Sequence, residues 1–246
     1  MRNVSIVRSR FSKIQPLRAP FLQELNAQVR YDAAHTRRGA AWYLVRLDGR
    51  DIGYGALKDT HESRGTLFEF YLIPAFRSSA NDILHALIET ARPDALECQS
   101  NDRFFASLVT QSGREVTSDT ILFGAGPPSA LNAAGVFRRR RRADRIFRHE
   151  AEPVGDFVID AGGDVVATGG FLLHYNPPFA DLFMEVRPDA RRRGYGSFLI
   201  HQLIVECYLA GRVPAARTGV DNLPSQRTLL RGGLIECGRM LRVGLR

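Results

Sequence analysis

The alternation of apolar and polar residues predicts several short strands separated by turns, with a few amphipathic or buried helices. Strand-like runs cover residues 42–47, 51–57, 156–161, 164–174 and 182–186. Glycine-containing turns separate the members of each hairpin-like pair, which is typical of β-hairpins. An apolar run from Phe198 to Leu209 follows the last strand and has the length of a buried helix. The pattern therefore predicts a mixed α/β fold, with an α+β-type sheet and helices on both faces.

The chain carries this arrangement twice, at an offset of 114 residues. Four pairs share the offset: Gly49 and Gly163, Gly55 and Gly169, Pro74 and Pro188, Arg77 and Arg191. Asn101 matches Asn222 after a seven-residue insertion around 210–216. Internal similarity of this kind indicates duplication. We therefore predict two domains, residues 1–126 and 127–246, joined by the Gly/Pro-rich stretch 124–129.

The strongest candidate for a binding site is the strand-to-helix turn that follows residues 182–186. It reads Arg191-x-x-Gly194-x-Gly196, and a helix N-terminus attracts anions through its N–H groups. Glycine lets the backbone approach a bulky anion closely. The match alone is weak, since a plain helix cap uses similar residues, but its place between a strand and a helix strengthens it. A pyrophosphate-bearing cofactor is expected at Arg191, Arg192, Arg193, Gly194, Tyr195, Gly196 and Ser197.

After this turn come a strand, an Asn/Ser loop and another helix. This order resembles the GCN5-related N-acetyltransferases, the GNAT superfamily, over about residues 136–243. The resemblance implies two tandem GNAT-like domains and a turn that holds the pyrophosphate of acetyl-coenzyme A (acetyl-CoA), the co-substrate. It also implies that Met184 and Val186 bind the pantetheine arm of this cofactor and that Asn222 and Ser225 contact it. No metal is implied.

The same resemblance implies that an acceptor amine attacks the thioester directly. Val186 N–H is the predicted oxyanion donor. Glu185 is the predicted general base, provided that it faces the reaction, because strand neighbours alternate faces. Leu229 occupies the position where many family members carry a proton-donating Tyr, which leaves the general acid open. The reserve acid–base candidates are His149, Glu152, Asp156 and His174.

The first copy departs from the pattern where the cofactor would bind. After Arg77 it reads Ser78-Ser79-Ala80-Asn81-Asp82, without either glycine. A carboxylate at a helix N-terminus satisfies the helix dipole itself. We therefore expect a degenerate first domain that binds no cofactor and forms one wall of an acceptor cleft.

The chain has 246 residues and a net charge of +8, almost all of it from arginine. A positive field suits anionic partners such as coenzyme A. The arginine run 138–142 is interpreted as a solvated strand end and loop, which leaves nucleic acid an open but less favoured partner. A helix is predicted to follow at residues 144–147, with the acidic Asp144 in its first turn. No apolar run is long enough to span a bilayer, so no membrane partner is expected.

The three cysteines, Cys98, Cys207 and Cys237, are widely spaced and fit neither a disulfide framework nor a zinc signature. A cytoplasmic location is the simplest interpretation. The expected partner is a small-molecule or peptide amine, and a homodimer is compatible with the sequence. Two alternatives stay open: a tandem-GNAT transferase that uses another acyl-CoA or an aminoacyl-tRNA, and a non-catalytic coenzyme A-binding protein.

Overall fold

The computed structural model describes residues 4–37, 39–60, 63–127, 130–131 and 135–245. Within these ranges the chain forms twelve strands and six α-helices. It divides into two compact units, Met1–Asp119 with Gly238–Arg246, and Thr120–Cys237. Pro128 and Ser129 of the predicted linker lie outside the described residues.

The strands and helices have the following bounds. The strands are β1 (Val4–Ser9), β2 (Ala40–Leu47), β3 (Arg50–Thr60), β4 (Ser63–Leu72), β5 (Ala95–Gln99), β6 (Thr120–Ala125), β7 (Val136–Arg139), β8 (Phe157–Ala161), β9 (Asp164–Leu172), β10 (Phe179–Val186), β11 (Val213–Gly219) and β12 (Leu234–Gly244). The α-helices are α1 (Phe11–Leu25), α2 (Asp32–Thr36), α3 (Ala80–Ala91), α4 (Arg103–Thr110), α5 (Tyr195–Leu209) and α6 (Leu223–Arg231).

The first unit is a sheet with helices on both faces, as predicted. β1 to β4 pair antiparallel in sequence order, β5 lies parallel to β4, and the end of β12 pairs antiparallel with β5. On one face Leu87 of α3 and Phe105 of α4 pack with Val45. On the other face Ile14 of α1 packs with Leu44. Consecutive residues of β2 thus enter opposite cores, as strand geometry requires.

The second unit has the strand order β12-β6-β11-β10-β9-β8-β7, in which β12 contributes its first residues. β10 and β11 are parallel, whereas β11 with β6 and β10 with β9 are antiparallel. α5 and α6 contribute Leu203 and Leu229 to one core, where they pack with Leu182 and Ile159 from the sheet. This confirms the mixed α/β class.

The sequence also favoured a helix at residues 144–147, which is wrong: residues 140–156 are described and contain turns and irregular chain only. Asp144 explains the difference, because its carboxylate accepts bonds from the Arg138 guanidinium (2.8 and 2.9 Å) and from Arg141 N–H. Such side-chain bonds favour a turn over a helix. Arg138 also binds Asp160 of β8, so the arginine run begins with an internally paired residue.

One hydrogen bond repeats in both units and supports the duplication. Arg77 Nε donates to Leu72 O at 3.0 Å, and Arg191 Nε donates to Val186 O at 3.2 Å. Both members of the second pair lie 114 residues after their counterparts. The offset read from the sequence therefore corresponds to an equivalent three-dimensional position at this turn.

The later part of the repeat was aligned wrongly, because the counterpart of Asn222 is Asp102 and not Asn101. Asp102 caps α4 by accepting Phe105 N–H at 3.1 Å, and Asn222 caps α6 by accepting Ser225 N–H at 3.2 Å. The offset here is 222 − 102 = 120, so the insertion has six residues rather than seven. Asp and Asn cap helices equally well, and side-chain identity was therefore a misleading guide.

The two compact units do not follow sequence order throughout. β6 lies within the predicted first domain and includes residues 124–125 of the predicted linker, but it pairs with β11 in the second unit. The end of β12 pairs with β5 in the first unit. The linear division into residues 1–126 and 127–246 therefore stays a prediction about the sequence repeat.

A buried charge network organises the face of the first unit covered by α1. Glu69 is buried and accepts two bonds from Arg18 (2.9 and 3.0 Å) and one from Tyr54 Oη (2.9 Å). His35 Nε2 lies 3.0 Å from the same carboxylate. Burial by itself raises the pKa of Glu69, but His35 and Arg18 outweigh it and lower the pKa to about 2.

We expect Arg18→Met to destabilise the protein by about 3–5 kcal/mol, because it leaves a buried carboxylate without its main partner. Arg46→Met, which removes a half-exposed pair with Asp51, is the matched control and should cost less than about 1 kcal/mol. Urea unfolding measures both, and equal costs would contradict the assigned role.

The lowered pKa of Glu69 also predicts a pH dependence. Its stabilising contribution is present above the ordinary pKa of a glutamate and is lost as pH falls toward about 2. The stability difference between wild type and Glu69→Gln should therefore shrink over that interval. Urea unfolding across the same pH range checks this, and a constant difference would contradict it.

Candidate functional site

The parallel strands β10 and β11 are paired only where they begin. The register joins Phe179–Asp181 with Val213–Ala215, and among the described residues no later pair joins the two strands. β10 nevertheless continues along β9 to Val186, and β11 continues along β6 to Gly219. Their facing edges therefore diverge, and a gap opens between them that is closed at Asp181. A strand edge of this kind presents unpaired N–H and C=O groups.

Met184 and Val186 direct their backbone groups toward this gap. Arg187 N–H donates to Val166 O at 2.9 Å, on the β9 side of the strand. Successive residues of a strand use opposite edges for hydrogen bonding. The N–H and C=O of Val186 and Met184 therefore point away from β9, toward β11.

The glycine turn lies at the open end of the gap, between the end of β10 and the start of α5. Gly194 is the helix N-cap with φ +88°, and Arg192 also has a positive φ of 62°. The first bond inside the helix runs from Phe198 N–H to Gly194 O. The preceding helical N–H groups have no intrahelical acceptor, and no side chain caps the helix. These groups belong to Tyr195, Gly196 and Ser197.

The structure favours glycine at the two positions of the turn for different reasons. At Gly194 a Cβ would meet open space, so only the left-handed backbone favours glycine there. At Gly196 a Cβ would lie 3.1 Å from Thr228 Cγ2 and 3.3 Å from Val186 Cγ2. Gly196 therefore lets the start of α5 lie close to β10 and α6, while Gly194 shapes the loop that presents the amides.

Positive charge surrounds these amides. Arg191, Arg192 and Arg193 are all exposed. The Arg191 side chain is fixed at Nε by the Val186 carbonyl, and its terminal nitrogen lies 3.6 Å from Glu150. Backbone donors, a helix N-terminus and three guanidinium groups together form a site suited to a multiply charged anion.

Glu185, the predicted base, is 7% exposed and engaged with the backbone. Its carboxylate accepts the N–H groups of Glu150 (2.8 Å), Ala151 (3.1 Å) and Glu152 (2.9 Å). Burial by itself raises the pKa of Glu185, but these three bonds outweigh it and lower the pKa. A carboxylate held in this way is a weak proton acceptor. The contacts therefore favour positioning of the 150–152 segment over proton transfer.

His149 is part of the same packing arrangement. Its Nε2 lies 3.2 Å from Thr168 Oγ1, and its Nδ1 lies 2.9 Å from Glu152 O. Both ring nitrogens thus contact neighbouring groups of β9 and the loop. Asp156 is exposed, and its backbone carbonyl accepts a hydrogen bond from Arg140 N–H. Of the reserve candidates, His149 and Glu152 therefore lie beside Glu185.

His174 lies elsewhere, at the closed end of the gap. Its Nε2 is 2.9 Å from Asp181 Oδ2, and Arg217 of β11 is 3.7 Å from the same oxygen. The sequence indicated His174 but not Asp181. The available signal was the spacing of Asp181, Phe183 and Glu185, since residues two apart share one face of a strand.

The loop after β11 has a structural role in this structure. Asn222 and Ser225 form the cap of α6 described above, and their contact with a cofactor stays a prediction. Leu229 is 4% exposed and packs with α5 in the core. The position where a Tyr is common in the resembled family is thus a core position here.

The corresponding gap of the first unit is covered by its own chain. β4 and β5 are paired at Thr66–Leu67 and Ala95–Leu96, whereas β4 continues to Leu72. Gln99 of β5 donates to Gln28 O at 2.7 Å and accepts Arg30 N–H at 2.8 Å. The following Tyr31 packs its ring on Phe68 of β4. Residues 28–31 therefore contact both strands.

The turn of the first unit is also occupied. Both terminal nitrogens of Arg77 bind the Glu24 carboxylate, at 2.6 and 2.7 Å, and the guanidinium lies 4.4 Å from the Phe104 ring centre. The 3-10 turn Pro74–Ser79 leads directly into α3, and Ala80 is buried. No looped-out amide segment comparable to 191–194 precedes this helix among the described residues. These contacts support the expectation of a degenerate first copy.

Comparison with known families finds two matches. A model described as "Acetyltransferase (GNAT) domain" matches residues 10–125, and one described as "Acetyltransferase (GNAT) family" matches residues 128–232. A comparison with proteins of curated function finds no match. Within the described chain, no helix is both long and apolar enough to cross a membrane.

Solved structures share this fold along the whole chain. A GNAT-family acetyltransferase from Colwellia psychrerythraea is 14% identical, with TM-score 0.74 over 99% of this chain and 100% of its own. A GCN5-related N-acetyltransferase from Sphaerobacter thermophilus is 13% identical, with TM-score 0.59 over 99% and 96%. A tandem GNAT protein from the clavulanic acid biosynthesis pathway is 13% identical, with TM-score 0.56 over 98% of both chains. At these identities the likeness shows the fold alone.

Glu185→Gln tests the positioning role of this carboxylate. Losing the charge should weaken three N–H bonds, lower stability by about 1–3 kcal/mol and speed amide exchange at residues 150–152. Glu150→Gln is the matched control, because it changes an exposed side chain of the same segment and keeps the backbone N–H. Hydrogen exchange by mass spectrometry measures the effect. Unchanged exchange in Glu185→Gln would contradict the role.

Proposed function

We propose that this chain, which belongs to the GNAT superfamily and carries two GNAT domains in tandem, is an N-acetyltransferase whose second unit holds acetyl-CoA. It transfers the acetyl group to an amine acceptor by direct attack. The acceptor is a small molecule or peptide. The proposed location is the cytoplasm.

One observation carries the proposal: the second unit combines an open strand gap with unsatisfied helix N–H groups at its mouth. The diphosphate of the cofactor would bind the N–H groups of Tyr195, Gly196 and Ser197, with the turn arginines around it. The amides of the pantetheine arm would then pair with the β10 edge, as an added strand does. In the first unit, residues 28–31 and Glu24 occupy the equivalent places.

The direction of the gap determines where the thioester would lie. From Val186 at the mouth to Leu182 near the closed end is four residues, or about 13 Å at a strand rise of about 3.3 Å. An extended pantetheine arm is of this order of length, so the thioester would reach the closed half. Val186 N–H was the predicted oxyanion donor. Met184 N–H, on the same edge but deeper in the gap, is the better placed of the two.

Direct attack needs no nucleophile from the enzyme, and the buried thiols are unsuited to be one. Burial raises the pKa of Cys207 to about 11, and it also raises the pKa of Cys98. A thiol must ionise to attack. What remains for the protein is to orient two reactants, to stabilise the oxyanion and to remove a proton.

Gly194→Asp tests where the cofactor binds. Asp and Asn tolerate the left-handed region better than other non-glycine residues, and a Cβ at this position has open space. The new carboxylate should repel the diphosphate, and the matched variant Gly194→Asn carries the same backbone cost without the charge. At about 100 Kd of coenzyme A, wild type should gain about 5–10 °C in Tm.

In this thermal-shift series Gly194→Asn should keep most of the gain, and Gly194→Asp should lose it. Ser79→Asp places a carboxylate at the exposed equivalent end of α3 and should leave the gain unchanged. Loss of binding in Ser79→Asp but not in Gly194→Asp would assign the cofactor to the first unit and contradict the proposal.

Acetyl transfer itself is tested by thiol release from acetyl-CoA with a panel of primary amines, including polyamines, aralkylamines, amino acids and lysyl peptides. We expect amine-dependent release that Gly194→Asp suppresses. Aminoacyl-tRNA added as an alternative donor should transfer nothing. A Tm gain with tRNA together with none from coenzyme A would overturn the proposal.

A further inference from the structure

We propose that His174, oriented by Asp181, is the group that accepts the proton of the acceptor amine in the second unit. The inference rests on the acetyl transfer proposed above and assigns its general base. Glu185, the base predicted from the sequence, is replaced in this role by a histidine–carboxylate pair on the same face of β10.

The pair lies at the end of the gap where the thioester would be. Asp181 is the last residue of β10 that is paired with β11, opposite Ala215. Its side chain is on the same face as that of Glu185, four residues away, because side chains alternate along a strand. Glu185 therefore lies near the mouth and the turn, while Asp181 lies near the closed end, about 13 Å further along.

The contact between the two side chains selects the reactive nitrogen. His174 Nε2 is 2.9 Å from Asp181 Oδ2, which is an ion-pair contact without hydrogen-bond geometry, and Asp181 is 6% exposed. The negative charge so close to Nε2 favours the tautomer that carries its proton on this nitrogen. The lone pair of a neutral His174 is then on Nδ1, which has no protein hydrogen-bond partner within the described chain.

Three groups lie near this pair: Arg217, Tyr175 and Glu152. Arg217 of β11 lies 3.7 Å from Asp181 Oδ2. The Tyr175 ring meets the His174 ring edge-on at 4.7 Å. Glu152 is the nearby acid: burial first, and then Asp181, raise its pKa, while Arg217 opposes the shift. Glu185, which acts on Glu152 in the same direction as Asp181, is held by the 150–152 amides.

The proton balance closes without another reactant. His174 Nδ1 takes one proton from the ammonium form of the acceptor, and the neutral amine attacks the thioester carbon. The C–N bond forms, the C–S bond breaks, and the electron pair of that bond leaves with the sulfur as a thiolate. The amide nitrogen then loses its extra proton and the thiolate gains one. His174 returns its proton to solvent, so ammonium and acetyl-CoA give amide, coenzyme A and one proton.

The first copy shows that this face of the fold does not need such a pair. The strand register makes Thr66 the counterpart of Asp181, because Thr66 pairs with Ala95 as Asp181 pairs with Ala215, and a bulge in β4 shifts the 114-residue offset by one. Thr66 is buried and uncharged. At the 120-residue offset Arg217 corresponds to Glu97, which carries the opposite charge. The paired charges at the closed end are thus present in the unit with the open gap and absent from the covered one.

The test compares His174→Gln with His85→Gln, a matched change at an exposed histidine of α3. Each variant is first assayed for its coenzyme A thermal shift, which should equal that of wild type. With the best amine of the panel, His174→Gln should lower kcat/KM by about 100-fold or more, in the range of general-base catalysis. His85→Gln should leave it unchanged.

The pH profile separates catalysis from structure. A fall of kcat/KM toward acidic pH in wild type should disappear from the residual activity of His174→Gln, because a general base must be unprotonated to act. Nitrogen-15 NMR of the histidine rings should assign the proton of neutral His174 to Nε2.

Each outcome decides one of the two proposals. Unchanged turnover in His174→Gln, or a proton on Nδ1 in the NMR spectrum, would overturn the assignment of His174 and leave the acetyltransferase proposal intact. Loss of the acidic fall in Glu152→Gln but not in His174→Gln would also overturn it, in favour of Glu152. Absence of both a coenzyme A shift and amine-dependent thiol release in wild type would overturn the proposed function itself.

Discussion

The divergence of β10 from β11 after Asp181 is the constraint on which the site depends. Buried or edge backbone groups need partners, and two parallel strands would ordinarily supply them to each other. Here β9 holds one strand to Val186 and β6 holds the other to Gly219, so their facing edges separate. A ligand with its own amide groups can satisfy the open edge. The first unit satisfies the corresponding region with Gln99 and residues 28–30.

The two acids on one face of β10 show how environment assigns different tasks to similar side chains. Glu185 accepts three backbone N–H bonds, which lower its pKa and lock a loop in place. Asp181 instead contacts an imidazole and a guanidinium, and its charge acts through the ring. A carboxylate saturated by donors stabilises structure, whereas one beside a histidine orients an acid–base group.

Local patterns in the sequence predicted the hairpins, the apolar helix that became α5 and the glycine turn before it. These features depend on neighbouring residues. The partners of Glu185, and therefore its role, could not be predicted, because the loop amides that it binds lie more than 30 residues away. The helix expected at 144–147 failed for a similar reason, since Arg138 and Asp144 formed a turn with Asp160 of β8. Asp102 was missed because the alignment followed identical letters rather than capping chemistry.

The duplication explains why one chain contains both an open and a covered version of the same gap. Arg77 and Arg191 keep the same bond to the preceding strand, but Glu24 neutralises only the first. A crystal structure of this chain with bound coenzyme A tests the account most directly. The account predicts the diphosphate on the N–H groups of Tyr195, Gly196 and Ser197, and the pantetheine arm along Val186 and Met184. A diphosphate bound at the start of α3, or an empty gap beside β10, would contradict it.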